Sequence, residues 1–383
     1  MGSRSGWGDM KLWKYDNDPV LYQGRGVLFF ILTLVLILGC PFLLSFTSQA
    51  KSTDSENLSF YQKLAKGQDV NILIVGDSIG AGSGADESDG VTHVWFNLLK
   101  NDLEERYMRE DGGSVSVTNI SLCGNTSYAG YVRTMQLNDG IDYDLVILCF
   151  GQNDDEEDLG VYYEVLIRAV EEKYPACSII SILESSQQDY TDKILELMAL
   201  CEYYEIPYAD TILAFQNSGY SYEELSYDGV HPNNLGQELY FETVRNLIVE
   251  QVDAKTGHLE KKEAYYHDEA REFASFVFYP AGDEESDGIT ELIRENDTTY
   301  VFYAPVSGIF GMDYTYRTGD EGIEVYVDGK LFNIHECPAS LYSCLINQRY
   351  IMTCADTLTA KKEIEIVFAN KEQADGFYGI CFS

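Results

Sequence analysis

Between Asp69 and Ile248 short apolar runs alternate with longer stretches in which apolar residues recur every three or four positions. The short runs Val70–Val75, Ser114–Asn119, Leu145–Phe150, Ser178–Leu183 and Pro207–Ala209 are rich in Val, Ile and Leu and predict strands. Helices are predicted over Trp95–Arg109, Leu159–Lys173 and Tyr190–Tyr204, the last with Ile194, Leu195, Leu197, Met198 and Cys201 on one stripe. A further helix, Asn233–Ile248, starts at an asparagine able to cap it and presents Leu235, Leu239, Val244, Leu247 and Ile248 as its buried face. Apolar strands alternating with helices imply an α/β unit with a mostly parallel sheet covered on both sides.

The pattern changes near Ala264. Phe273–Tyr279, Tyr300–Tyr303, Ile323–Val327, Lys330–Ile334, Glu363–Phe368 and Gly376–Phe382 are short runs of aromatic and β-branched residues without intervening helices. Asp328-Gly329 between two of them is a type I′ hairpin signal. These features predict a compact antiparallel sandwich of the jelly-roll kind. The expected order is an α/β domain over 68–252, a charged linker over 253–263 and an all-β sandwich over 264–383. At 383 residues the chain is long enough for two such domains.

Upstream, residues 26–46 hold about twenty apolar residues without a charge, enough to span a bilayer at roughly 1.5 Å per residue. Arg4, Lys11, Lys14 and Arg25 precede them and favour a cytoplasmic tail over 1–25. The expectation is a single-pass transmembrane anchor, a polar tether over 47–67 and an extracytoplasmic remainder. Cleavage at Ser48-Gln-Ala50, giving a secreted protein, or lipoprotein processing at Leu38-Gly39-Cys40 are the alternatives.

A net charge of -37 argues against nucleic acid or an anionic membrane surface as a partner and suits a neutral one. None of the nine cysteines has the spacing of a zinc site. Export would allow disulfides among Cys337, Cys344, Cys354 and Cys381, although buried thiols serve equally well.

The chemistry concentrates in LIVGDSIGAGSG, Leu73 to Gly84, at the end of the first strand. A phosphate loop would require Lys-Ser/Thr after the glycines, and the spacing of Gly80, Gly82 and Gly84 is not that of a dinucleotide fingerprint. Ser78 as a nucleophile remains, beside the plainer reading of a polar turn. Of five histidines, His231 in Tyr227-Asp-Gly-Val-His-Pro-Asn233 has an acid three residues ahead, Asp228, able to orient its imidazole. Asp-Gly is equally ordinary turn chemistry. His93 also follows the glycine loop. Donors for a developing oxyanion are available at strand ends: Gly124 through its N–H, and Asn153 in Gly151-Gln-Asn-Asp154 through its amide.

The ordered set Gly-Asp-Ser78, Gly124, Gly-Gln-Asn153-Asp and Asp228-Gly-Val-His231 resembles the SGNH, or GDSL-type, hydrolases over about residues 69–250. The resemblance implies a flavodoxin-like three-layer α/β/α fold. It implies Ser78 as nucleophile, His231 as general base, Asp228 as its orienting acid, and an oxyanion hole of Ser78, Gly124 and Asn153. No metal or organic cofactor is implied. Gly80, where the family more often has Ser or Thr, and Ser121 and Cys123 before Gly124 depart from the family pattern. An exported, tethered hydrolase with a sandwich also resembles surface carbohydrate esterases. That implies a serine esterase removing O-acetyl or other short acyl groups from a glycan. An O-acyltransferase using the same acyl-enzyme and a non-catalytic glycan-binding protein are the alternatives.

Overall fold

Strands that are apolar on both faces need a cover on each side, and the computed structural model shows how this chain supplies it. The structure describes residues 58–109, 112–266, 273, 275–282, 292–304, 306–316, 321–336, 348–358 and 360–383. The expected anchor at 26–46, the tail before it and most of the tether lie outside these residues. Among the described residues no helix is long and apolar enough to cross a membrane. The described part belongs to one compact unit.

In chain order the α/β half comprises α1 (Phe60–Ala65), β1 (Val70–Gly76), α2 (Trp95–Tyr107), β2 (Val115–Asn119), α3 (Ser127–Gln136), β3 (Leu145–Cys149), α4 (Leu159–Lys173) and β4 (Ser178–Leu183). It closes with α5 (Asp192–Tyr204), β5 (Tyr208–Asp210), α6 (Thr211–Asn217), α7 (Tyr222–Leu225) and α8 (Asn234–Ala254). The sheet order is β2-β1-β3-β4-β5, and every pair is parallel. Alternation along β1 divides its side chains between two cores. Leu73 and Val75 face α3, α4 and α5, whereas Ile72 and Ile74 face α1, α2 and α8. The result is three layers, with the order of strands reversing between β1 and β3, where open α/β sheets gather their sites.

Asn233 caps α8, its side chain accepting the Leu235 and Gly236 N–H groups. The buried face of that helix is Tyr240, Val244, Ile248 and Val252, and Leu235 is exposed instead. Leu195 on α5 is likewise half exposed, while Ile194, Leu197 and Cys201 are buried.

The C-terminal half forms two antiparallel sheets. One has the order β11 (Lys330–His335), β10 (Ile323–Val327), β13 (Glu363–Val367), β8 (Thr299–Tyr303), β7 (Ile293–Arg294). The other runs β12 (Gln348–Leu358), β9 (Gly308–Tyr316), β14 (Phe377–Phe382), β6 (Val277–Pro280). Asp328 and Gly329, at φ +49° and +71°, make the tight turn between β10 and β11. Phe302, Phe310, Ile364 and Phe382 fill the space between the sheets. Cys381 is a buried free thiol 3.3 Å from the Tyr128 hydroxyl; Cys337, Cys344 and the side chain of Cys354 lie outside the described residues.

Gly76 ends β1 where it meets β3. A methyl there would lie 2.7 Å from the Cys149 carbonyl oxygen and 3.0 Å from Gly80 Cα, both main-chain atoms that cannot yield separately. Gly76→Ala is therefore expected to destabilise the protein by roughly 1–3 kcal/mol, as overpacking does. Urea unfolding measures this, and an unchanged midpoint and slope would contradict the close approach.

Candidate active site

β1 delivers Ser78 through a turn that Asp77 builds. The Asp77 N–H donates to the Cys149 carbonyl at 3.1 Å, and Asp77 Oδ1 accepts the Ile79 N–H at 2.8 Å. Ala81 N–H and Ser83 N–H then close onto the Asp77 and Ser78 carbonyls, both at 2.9 Å. Gly80 sits against Gly76 Cα and Ser121 Oγ, so any larger residue there would press on the main chain of the strand end. Ser78 keeps 7% of its surface exposed.

His231 arrives from the loop between α7 and α8. Asp228 Oδ1 accepts the main-chain N–H groups of Val230 and His231, at 3.0 and 2.8 Å. Asp228 Oδ2 lies 2.7 Å from His231 Nδ1, and His231 Nε2 lies 2.8 Å from Ser78 Oγ. An Nδ1–H donated to the carboxylate leaves the Nε2 lone pair facing the serine hydroxyl. Burial pushes the Asp228 carboxyl up, but the His231 main-chain and ring donors and the Val230 N–H outweigh it and hold the group below the ordinary carboxylate range. Gly84, at φ +92°, lets the loop after Ser78 pass so near His231 that a Cβ would be 2.9 Å from that of the histidine. Gln237 of α8, fully buried, locks the same junction. Its amide donates to the Ser83 and Pro232 carbonyls and its oxygen accepts the Trp95 N–H.

Gly124 is left-handed at φ +72°. Among the described residues neither its N–H nor that of Ser78 is paired with a protein acceptor, which leaves both donors available. Asn153 is placed at the end of β3, with both Nδ2 hydrogens engaged, to Asp77 Oδ2 at 2.9 Å and to the Asn125 carbonyl at 3.0 Å.

Beneath the serine turn lies a group of acids, of which Asp77 and Asp154 flank the motif residues and Glu184 belongs to no motif. Asp77 and Glu184 are neighbours there, both fully buried. Glu184 accepts the Gln152 N–H at 2.8 Å and the Cys149 thiol at 3.4 Å. Desolvation, followed by the neighbouring negative charge, pushes Asp77 well up; desolvation pushes Glu184 up to about 7. Asp154 is pushed up to about 6, chiefly by burial, while accepting from the Ser127 N–H and hydroxyl. Lys193 of α5 donates to the Gly151 and Asp154 carbonyls at 2.7 and 2.9 Å and so clamps the loop that carries Asn153. Glu184, Lys193 and Gln237 act through neighbours distant in sequence, and no local pattern marks them.

Of the other histidines, His93 pairs with Asp89 at 3.1 Å, and His335 is buried in the sandwich, where desolvation pulls it down to about 4. Among the described residues no group of His, Cys, Asp or Glu is arranged to hold a metal ion.

Residues 74–239 match the GDSL-like Lipase/Acylhydrolase family. No curated protein matches the chain. Among solved structures, a two-domain esterase (CEX) active on acetylated mannans, co-crystallised with mannopentaose, aligns over 85% of this chain and 95% of its own, at a TM-score of 0.64 and 15% identity. A second structure of such an esterase aligns over 84% and 93%, at a TM-score of 0.61 and 15% identity. At that identity the likeness is one of fold, and it extends over both halves.

The acids also govern stability. Between about pH 4.5, the ordinary glutamate value, and pH 7 the folded protein retains a proton on Glu184 that the unfolded chain has released, so stability falls as pH rises through that window. Glu184→Gln is expected to remove this slope. In urea unfolding from pH 4.5 to 8, the variant should gain on the native protein as pH rises; a constant difference across the range would contradict the shift.

Proposed function

We propose, for a chain whose residues 74–239 belong to the GDSL-like lipase/acylhydrolase family, a serine esterase that works through an acyl-enzyme and releases short acyl groups from a carbohydrate. The observation that carries this reading is the continuous chain of contacts Asp228–His231–Ser78, at 2.7 and 2.8 Å. Ser78 Oγ attacks the ester carbonyl carbon as His231 Nε2 takes its proton. The carbonyl oxygen becomes anionic and is met by the Ser78 and Gly124 N–H groups, with Asn153 sharing one of its amide hydrogens. Collapse breaks the bond to the alcohol oxygen, which leaves with the proton from His231. Water then attacks the acyl-serine while His231 accepts its proton; the acyl–Oγ bond breaks, Ser78 Oγ takes that proton from His231, and the acid departs.

The substrate class is supported by two things. The family hydrolyses carboxylic esters, and the two-domain fold is shared with an esterase active on acetylated mannans. The apolar stretch at 26–46 supports an extracytoplasmic enzyme tethered to the membrane, with its substrate at or beyond the cell surface.

Hydrolysis of p-nitrophenyl acetate and acetate release from acetylated mannan test the reading together. Ser78→Ala and His231→Ala are expected to abolish both. Asp228→Asn should keep the fold and lower kcat on the order of 10³-fold or more, because the imidazole loses the partner that fixes its tautomer. Equal turnover by Ser78→Ala would remove the nucleophile, and acetyl transfer to added glycan in place of acetate release would make the enzyme a transferase.

A further inference from the structure

The loop from Ser121 to Thr126 carries Gly124 and is held from two sides. Toward the serine, Cys123 Sγ lies 3.6 Å from Ser83 Oγ, in the turn that follows Ser78. Away from it, Cys123 packs against the sandwich core, and Leu122 packs against a core that contains Ile351 and Cys381. Asn125, fully buried, stands at the centre. Its Oδ1 accepts the Ile351 N–H of β12 at 2.9 Å, across 226 positions of chain. Its Nδ2 donates to the Cys123 carbonyl at 3.0 Å, and its main-chain oxygen accepts Asn153 Nδ2 at 3.0 Å. One amide residue thus joins a sandwich strand, the main chain before Gly124 and the side chain of Asn153.

The helix that follows the loop is fastened to the same sheet. Gln136 Nε2 of α3 donates to Asp313 Oδ2 of β9 at 3.0 Å, and the Tyr128 hydroxyl meets Cys381 of β14. Gly311 of β9 approaches Tyr128 so closely that an added methyl would overlap its hydroxyl.

We propose that Asn125 is a positioning residue of the ester-cleaving site, and that through it β12 of the sandwich fixes Gly124 and Asn153. The proposal rests on the esterase reading and extends it: the sandwich is a structural part of the catalytic machinery as well as a candidate glycan surface. Donors that stabilise an oxyanion are effective because they are fixed before the charge develops. A buried amide engaged at both ends cannot turn without leaving the Ile351 N–H unpaired, so the sandwich restrains the loop at the point where Gly124 must present its own N–H.

The test uses the full chain and p-nitrophenyl acetate, an ester too small to depend on glycan contacts. Asn125→Ala is expected to lower kcat by about 10–100-fold with KM changed less than about threefold, the signature of a lost transition-state interaction. Combined with Asn153→Ala, the loss should be smaller than the product of the two single losses, because the Asn125 side chain fixes the main-chain carbonyl that accepts from Asn153 Nδ2. A folded Asn125→Ala with kcat within about threefold of the native enzyme, or losses that multiply in the double variant, would overturn the proposal. If Asn125→Ala does not fold, Gly311→Ala asks the same question from the sandwich alone. It should lower kcat by about fivefold or more, and an unchanged kcat overturns the proposal. Ser78→Ala separates the two levels. Retained turnover in that variant removes the esterase reading itself, whereas an inactive Ser78→Ala beside an indifferent Asn125→Ala removes the positioning role alone.

Discussion

A single hydrogen bond, Ser78 Oγ to His231 Nε2 at 2.8 Å, closes a gap of 153 positions, and much of the α/β half is arranged to hold its two ends. The serine end is set by β1, which is paired on both edges and covered on both faces. The histidine end hangs on the cap of α8 and on Gln237, which ties the loop after Ser78 to the loop carrying His231. Gly84 completes the junction because only a glycine lets those loops touch. Small displacements of either end would cost much of the rate, since proton transfer requires hydrogen-bond reach.

The site keeps two kinds of carboxyl apart. Asp228, at the rim and surrounded by donors, stays an anion that can orient an imidazole and stabilise its protonated form. Asp77, Glu184 and Asp154, beneath the serine, are pushed the other way, chiefly by burial and, for Asp77 and Glu184, also by neighbouring negative charge, and they serve as hydrogen-bonding structure. The buried acids set the turn and the Asn153 loop through the hydrogen bonds they accept. The overall charge of -37 does not oppose the entry of a neutral ester and disfavours return of the carboxylate product.

The parallel sheet was legible because its strands are uninterrupted aliphatic runs, and Ser78, His231 and Asp228, each open to a plain turn reading alone, because four loops in chain order carry the residue types that one acyl-transfer site requires. α3 was not, since Tyr128, Ala129, Gly130, Tyr131 and Val132 are buried on successive positions between sheet and sandwich and give no one-sided stripe. β9 carries two glycines and an aspartate in a strand buried at every position but Thr315, and β12 mixes polar and apolar residues without a period of two, so neither shows alternation. Leu195 and Leu235 mislead for the opposite reason: they are apolar beside a buried position yet rotated to the rim of the helix face. Asn125, Glu184, Lys193 and Gln237 acquire their roles from partners between about thirty and two hundred and thirty residues away, which only the fold brings near.

The most direct measurement is covalent. The protein is treated with a fluorophosphonate, digested and its peptides weighed. The adduct is expected on the peptide containing Ser78, at one per molecule, and should form far more slowly in His231→Ala, because an unassisted serine hydroxyl is a weak nucleophile. A native protein that hydrolyses ester while Ser78 stays unmodified, or that carries the adduct on a different serine, would contradict the assignment on which the mechanism rests.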